Sequence, residues 1–228
     1  MPTLTNEERA IAAKEALEGN ERLSFLSKNI LIIAGINQSE VADFYLRAED
    51  LEEPKLREYY QDKKEQTRYR LAPSNNPNPL VAIRAHNIRM LGGGQFAPAE
   101  PFNVKKIQGY RLPRDSKVKI AVTGMLSGCS FVTQRLENGD MMCAHIQPRP
   151  GDNCLGEELQ DHITENGKFE GVDSESPIRV LGLKDYKPEG KATVLGFNIN
   201  GEWEFYAQIH DAARMSRDLL ELDEGGWQ

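Results

Sequence analysis

The chain has 228 residues, of which 39% are hydrophobic and 28% charged, and this composition excludes a disordered, collagen-like or coiled-coil protein. Its net charge of −7 is divided unevenly, with 21 Lys and Arg against 18 Asp and Glu over residues 1–150, and 7 against 17 over residues 151–228. The chain therefore lacks the overall basic excess of a nucleic-acid-binding protein, and it has no apolar run near the ~20 residues that span a bilayer.

The first third of the chain is predicted to be mostly helical. A helix capped by Thr5 or Asn6 is predicted to end at Gly19, since a side-chain cap and a glycine stop enclose its apolar positions. A second helix is predicted over residues 39–51, because the apolar positions there share one face at helical spacing. A third is predicted over residues 54–70, which begin with a proline suited to the first helical turn.

Segments rich in proline, asparagine and glycine interrupt the chain. Residues 72–79 contain three prolines and three asparagines, so they mark the predicted boundary between a helical N-terminal region, residues 1–75, and an α+β domain, residues 76–228. Residues 92–94 are three glycines and form a second flexible point. The apolar run over residues 30–34 is too short to distinguish a helix from a strand.

Strands are predicted in the second half, where the hydrophobic period changes from the helical value to two. They are expected around residues 118–122, 130–136, 141–146, 178–183, 193–198 and 202–208. Glu137-Asn138-Gly139 and Asn200-Gly201 are hairpin signals, and a last helix is predicted from about Asp211. Strands between terminal helices predict an α+β fold, with a central antiparallel or mixed β-sandwich flanked by helices.

The segment from Thr123 to Cys129, followed by His145, carries the clearest indication of chemistry. Ser127 and Gly128 are small, so they leave the sulfur of Cys129 open to a carbonyl substrate, and backbone N–H groups of such a turn can hold an oxyanion. A histidine within reach would lower the pKa of the thiol and shuttle protons. These residues predict a thiol nucleophile with a histidine partner.

The hairpin between these residues decides whether they can meet. With a two-residue loop, Asn138-Gly139, Val132 would pair with His145 and Cys129 would face the opposite side of the sheet. With a three-residue loop that places Gly139 in the left-handed conformation, Phe131 would pair with His145 and Cys129 would share its face. We predict the three-residue loop.

The other cysteines are interpreted as structural. Three cysteines do not make a disulfide framework, which indicates a reducing compartment. Cys143 is a rival nucleophile on the same predicted face as His145, but it lacks small residues before it and is interpreted as a core thiol. Cys154 lies in a predicted loop. No spacing typical of a zinc site is present, so no metal or cofactor is expected. A lone cysteine and a lone histidine can also be ordinary core residues, and Cys129 and His145 share that alternative.

The motif Leu126-Ser127-Gly128-Cys129, followed by His145-Ile146-Gln147-Pro148, resembles the catalytic signature of the glutamine deamidase toxins. These include the cytotoxic necrotizing factors and the Burkholderia lethal factor. The resemblance covers residues 118–148, and Thr123 stands at the spacing of a threonine that completes the site in the lethal-factor branch. It implies that Cys129 is the nucleophile, that His145 transfers protons and that Thr123 orients His145. An ordinary strand position is the alternative for Thr123.

This resemblance implies a toxin or effector that converts a glutamine of a host protein, such as a Rho-type GTPase or a translation helicase, into glutamate. Such a protein acts in the host cytoplasm. Because the N-terminus has acidic residues where a signal peptide needs basic ones, we expect secretion without a signal peptide. Residues 1–75 would then be a delivery or chaperone-binding segment. The alternatives are another thiol hydrolase or transglutaminase with the same pair, and a non-enzymatic binding protein.

Overall fold

The computed structural model describes residues 4–34, 39–49, 68–91, 104–148, 156–186, 190–211, 217–223 and 226–228. The helices within these ranges are α1 (Asn6–Glu18), α2 (Arg22–Lys28), α3 (Gly156–Asn166) and α4 (Leu183–Tyr186), with short 3₁₀ turns at Pro79–Val81 and Val104–Lys106. The strands are β1 (Ile30–Ile33), β2 (Val41–Glu49), β3 (Arg68–Ala72), β4 (Ala82–Ile88), β5 (Met90–Leu91), β6 (Tyr110–Leu112), β7 (Ile120–Thr123), β8 (Ser130–Arg135), β9 (Met141–Ile146), β10 (Arg179–Leu181), β11 (Gly190–Ile199), β12 (Glu202–Asp211), β13 (Arg217–Asp223) and β14 (Gly226–Trp227).

The strands form two sheets. The larger has nine strands in the order β1-β3-β2-β4-β7-β11-β12-β13-β14, and it is mixed because β1 runs parallel to β3 and β4 parallel to β7. The smaller has the order β10-β8-β9-β5, with β6 also paired to β9. Within the smaller sheet β8 and β9 are antiparallel, while β5 runs parallel to β9.

Three clusters of buried apolar side chains arrange these elements in four layers. The first cluster joins α1 and α2 to one face of the larger sheet, through residues such as Leu17, Leu26 and Phe44. The second fills the space between the two sheets. The third joins the outer face of the smaller sheet to α3. The chain therefore has a mixed β-sandwich covered by helices on both sides, which confirms the predicted α+β class.

The first helix and the last hairpin agree with the prediction. Thr5 caps α1 in a capping box with Glu8, and the helix ends at Gly19. β11 and β12 are joined by Asn200 and Gly201, whose φ angles of 54° and 91° are those of a primed turn. The ambiguous run over residues 30–34 forms strand β1.

The helix predicted over residues 39–51 is wrong, because the described part of this segment is strand β2. Ala42, Phe44, Leu46 and Ala48 alternate inward along β2 and are buried. The segment thus satisfies a period of two as well as the helical period, and pairing with β3 and β4 selects the strand.

Two other predicted helices also differ from the structure. Most of residues 54–70 lies outside the described residues, but the segment ends in strand β3. The C-terminal helix predicted from Asp211 is wrong over Arg217–Asp223, which is strand β13, paired with β12. Leu219 packs with the helix-side cluster, whereas Leu220 and Leu222 pack with the inter-sheet cluster, so the apolar residues cover two faces of a strand.

The predicted division of the chain at residue 75 falls within one continuous sheet. β2 lies before this point and β4 after it, and the two strands pair over Val41 to Tyr45. The described part of the N-terminal region consequently contains two helices and three strands, and these strands are built into the same sheet as β4 and β7.

Gln208 fixes the junction between α2 and β1 on the larger sheet. Its side chain is fully buried. The amide Nε2 donates to the carbonyl oxygens of Leu26 and Asn29, at 2.7 and 2.6 Å, and Oε1 accepts from the N–H of Leu31 at 2.8 Å. One side chain thus satisfies three backbone groups at this junction, and its bonds to Leu26 and Leu31 are buried.

We expect Gln208→Leu to lower the free energy of unfolding by about 3 kcal/mol, because it leaves these backbone groups without their partner while replacing the amide by an apolar side chain of similar size. Urea denaturation followed by circular dichroism measures the change. Gln228→Leu, at an exposed position, is the matched control. Equal stability of the two variants would contradict this role of Gln208.

Candidate active site

The β8–β9 hairpin has the predicted three-residue loop. Arg135 pairs with Met141, the N–H of Leu136 donates to the carbonyl of Asp140 at 2.8 Å, and the N–H of Gly139 donates to the carbonyl of Leu136 at 2.9 Å. Gly139 has a φ of 85°, the left-handed conformation that glycine adopts without strain. The loop therefore consists of Glu137, Asn138 and Gly139, as predicted.

Asp140 holds this loop in place. Its carboxylate accepts from the backbone N–H of Arg114 at 2.8 Å, from Nε of Arg111 at 2.7 Å and from Nδ2 of Asn138 at 3.0 Å. Burial raises the pKa of Asp140, but these hydrogen bonds and the charge of Arg111 outweigh it, so the pKa is lowered overall. Asp140 thus ties the hairpin tip to the segment that precedes β7.

The register places Cys129 and His145 on the same face of the smaller sheet. Phe131 pairs with His145, which confirms the predicted register. Cys129, Phe131 and Cys143 belong to the cluster between the sheets. Val132, which points to the opposite face, belongs to the cluster beneath α3. Since side chains alternate along a strand, His145 points into the space between the sheets, diagonal to Cys129.

Thr123 reaches His145 from the other sheet. It ends β7, and its Oγ1 lies 2.8 Å from Nδ1 of His145 and 2.7 Å from the carbonyl oxygen of Ile88. The hydroxyl has a single proton, which it donates to Ile88, so it must accept from Nδ1–H. The proton of the neutral imidazole is therefore on Nδ1, and the lone pair is on Nε2.

His145 is a buried neutral base. It is 1% exposed, and burial lowers its pKa to about 4. Nε2 has no hydrogen-bond partner among the described residues. A buried acceptor without a partner is uncommon, and it is available to take a proton from a neighbouring group.

The loop before Cys129 is anchored at Leu126. Leu126 exchanges two backbone hydrogen bonds with Ala192 of β11, at 2.8 and 3.1 Å. Ser127 is exposed, and Gly128 has a φ of 85°, a conformation that favours glycine. Ser127 and Gly128, the small residues predicted as turn support, thus form the turn that places Cys129 directly before β8.

Cys129 itself is 4% exposed. Burial raises the pKa of its thiol, and a backbone hydrogen bond with Ser127 opposes this only in part. No hydrogen bond joins its sulfur to His145 within the described residues. The structure brings Thr123 and His145 into direct contact and places Cys129 on their face, in the thiol form.

Tyr186 is a neighbour of Cys129 that the sequence analysis missed. Its hydroxyl, from the end of α4, donates to the carbonyl oxygen of Cys129 at 2.7 Å. Burial raises the pKa of Tyr186, so the hydroxyl keeps its proton and remains a donor. No local signal marks this tyrosine, because the contact joins residues 57 positions apart.

The other candidate residues lie elsewhere or in the core. Cys143 pairs with Thr133, is fully buried, and burial raises the pKa of its thiol well above the usual value. Cys154 lies outside the described residues. Across the described ranges no group of three or more His, Cys, Asp or Glu side chains is arranged to hold a metal.

No protein-family model matches the chain, and no curated protein matches it. In the part of the chain that the structure describes, no helix combines the length and apolar character needed to cross a membrane.

The burial of His145 predicts a pH dependence of stability. In the unfolded chain the imidazole has its ordinary pKa of 6.5, whereas the folded value is about 4. Above pH 6.5 the imidazole is neutral in both states, so its contribution to the free energy of unfolding is fully present. As the pH falls from 6.5 towards 4, the imidazole binds a proton in the unfolded state but not in the folded state. The free energy of unfolding therefore falls by an amount on the order of 3 kcal/mol.

Chemical denaturation of the wild type and of His145→Gln between pH 7 and pH 4 measures this contribution. Carboxylates titrate in both proteins, so the difference between the two pH profiles isolates His145. We expect the wild type to lose more stability than the variant over this range, and parallel profiles would show that the imidazole is not held neutral by the fold.

Proposed function

We propose that this protein is a cysteine-dependent protein glutamine deamidase that acts as a toxin or effector on a host protein. The observation that carries the proposal is the hydrogen bond of 2.8 Å from Nδ1 of His145 to Thr123, on the face that Cys129 shares. Three residues matched to the toxin signature from the sequence alone come from two sheets and face one space. Such convergence is expected of an active site and is not required of independent core residues.

In the proposed mechanism, Nε2 of His145 takes the proton of the Cys129 thiol as the sulfur attacks the carboxamide carbon of the substrate glutamine. Backbone N–H groups of the turn at Ser127 and Gly128 hold the oxyanion. The imidazolium then donates its proton to the leaving nitrogen, so ammonia departs and a thioester remains. Water, deprotonated by the same Nε2, attacks the thioester and releases glutamate and the thiol.

The neutral resting state is consistent with this order of events. A low imidazole pKa and a raised thiol pKa disfavour a standing thiolate–imidazolium pair, so the proton moves only as the substrate is attacked. Because Cys129 and His145 are both buried, neighbouring groups must shift before a carboxamide can reach the sulfur.

A second candidate function is a non-enzymatic binding protein in which Cys129 is a core thiol. The burial of Cys129 and the absence of a hydrogen bond from its sulfur to His145, both among the described residues, favour this alternative. The two functions differ in whether Cys129 is needed for any chemical change in another protein.

Cys129→Ser should abolish deamidation. The purified protein is incubated with a host-cell lysate, and tryptic peptides are searched for glutamines converted to glutamate, a mass gain of about 1 Da per site, as expected for acyl transfer to water. Cys143→Ser, the same change at a second buried thiol of the same face, is the matched control and should retain activity.

The proposal fails if the modification persists in Cys129→Ser, or if the wild type produces none. A primary amine added to the reaction distinguishes deamidation from transglutamination, since the amine would be incorporated in place of water. That outcome would assign the same Cys129–His145 pair to a transglutaminase.

Thr123 is proposed as a positioning residue that acts through His145. Thr123→Val keeps the shape of the side chain but leaves Nδ1–H without an acceptor, and we expect kcat to fall at least about tenfold. Thr123→Ser keeps the hydroxyl and should restore most of the activity. Nitrogen NMR of the imidazole should show the Nδ1–H form in the wild type and the serine variant, and a mixture of forms in the valine variant.

Action in the host cytoplasm belongs to the same proposal. Strands β1, β2 and β3, from the described part of residues 1–75, are built into the larger sheet, so a delivery or chaperone-binding role would have to be compatible with this packing. Alanine substitutions at the exposed Leu4 and Leu23 preserve the sheet and are a better probe of such a role than a deletion.

A further inference from the structure

A cavity formed by described residues has no part in the proposed reaction. It has a volume of about 880 Å³ and lies at the end of the larger sheet where β7 begins. Thr123 lies at the other end of β7, and the cavity wall includes Ile120 and Phe197 from the helix-side cluster. The cavity is therefore separate from the space shared by Cys129 and His145.

Four cationic side chains line this cavity. Arg22 comes from α2, Arg84 from β4, and Lys117 and Lys119 from the segment that leads into β7. Among the described residues, Glu18 is the one carboxylate that lines it, and Glu18 pairs with Lys14 at 3.5 Å. Like charges gathered around a concave surface repel one another, and an anion bound between them relieves the repulsion.

Most of this positive charge is not neutralised by the protein. Arg84 pairs with Asp43 at 3.0 Å. In contrast, Arg22, Lys117 and Lys119 have no carboxylate at ion-pair distance within the described residues. Among the described residues, three cations of the cavity are therefore left without an ion-pair partner and are available to an anion.

Neighbouring groups hold the cations of the cavity in place, and a neutral amide completes its lining. Nε of Arg22 donates to the carbonyl of Gly19 at 2.9 Å, and its guanidinium lies 5.5 Å from the centre of the Phe197 ring, which orients the group. Lys119 donates to Oδ1 of Asn198 at 3.1 Å. Asn200 adds a further amide to the lining.

The geometry points to a binding site for a phosphate-bearing small molecule of nucleotide size. Its volume is within the range of small-molecule sites, which are about 300–1,000 Å³. Arginine and lysine side chains bind phosphate oxygens, while the apolar wall and the side-chain amide of Asn200 suit a ring system with polar edges. A flat cationic surface would suit an acidic protein segment better, and this site is concave.

ATP is the probe for this site. Isothermal titration calorimetry on the full chain at fixed ionic strength should give saturable 1:1 binding, and thermal unfolding should shift to higher temperature with ATP. In Lys117→Gln/Lys119→Gln, the dissociation constant should rise at least tenfold. Arg22→Gln should weaken binding as well, and the melting temperature of each ligand-free variant reports whether it folds.

The matched control is Lys106→Gln/Lys168→Gln, which removes the same charge from exposed positions outside the cavity lining. It should bind ATP as the wild type does. Four outcomes would overturn the proposal: no binding of ATP, an equal loss in the control, equal affinity for inorganic phosphate, or tighter binding of a poly-glutamate peptide than of ATP. Because the site excludes Cys129 and His145, these outcomes are independent of the deamidation test.

Discussion

The register of the β8–β9 hairpin is the constraint on which the candidate site depends. Because side chains alternate along a strand, one residue more or less in the loop would turn either Cys129 or His145 out of the space between the sheets. The left-handed Gly139 and the three hydrogen bonds to the carboxylate of Asp140 fix the loop length. A turn at the surface, remote from the chemistry, thus decides which side chains meet in the interior.

His145 is neutral because its hydrogen-bond partner, Thr123, is an uncharged hydroxyl. A carboxylate at the position of Thr123 would favour the imidazolium, whereas a hydroxyl brings no charge to oppose burial, and the pKa of His145 falls to about 4. The hydroxyl is itself oriented by the carbonyl of Ile88, so the tautomer of the imidazole is set by the pairing of β4 with β7. The larger sheet thereby determines which ring nitrogen of His145, on the smaller sheet, carries the proton.

Local signals predicted the hairpins and the first helix well, and they predicted β2 and the C-terminal strand β13 poorly. Asn138-Gly139 and Asn200-Gly201 specify their turns through backbone conformations that few residues adopt, so the register of Phe131 with His145 could be derived from the sequence. In β2 the apolar residues fit the periods of a helix and of a strand, and pairing with β3 and β4 decides between them. The contact of Tyr186 with the Cys129 carbonyl depends on how the layers assemble, which no local pattern encodes.

The anchors around Cys129 define where the structure can yield to a substrate. Leu126 is held to β11 by two backbone hydrogen bonds, and the carbonyl of Cys129 is held by Tyr186. Between these points lie Ser127, which is exposed, and Gly128, whose backbone has the widest conformational freedom of any residue. Movement confined to Ser127 would leave both anchors intact and preserve the contact of Thr123 with His145. The small residues would therefore serve two purposes, since they give a carbonyl group access to the sulfur and they limit the cost of opening a buried site.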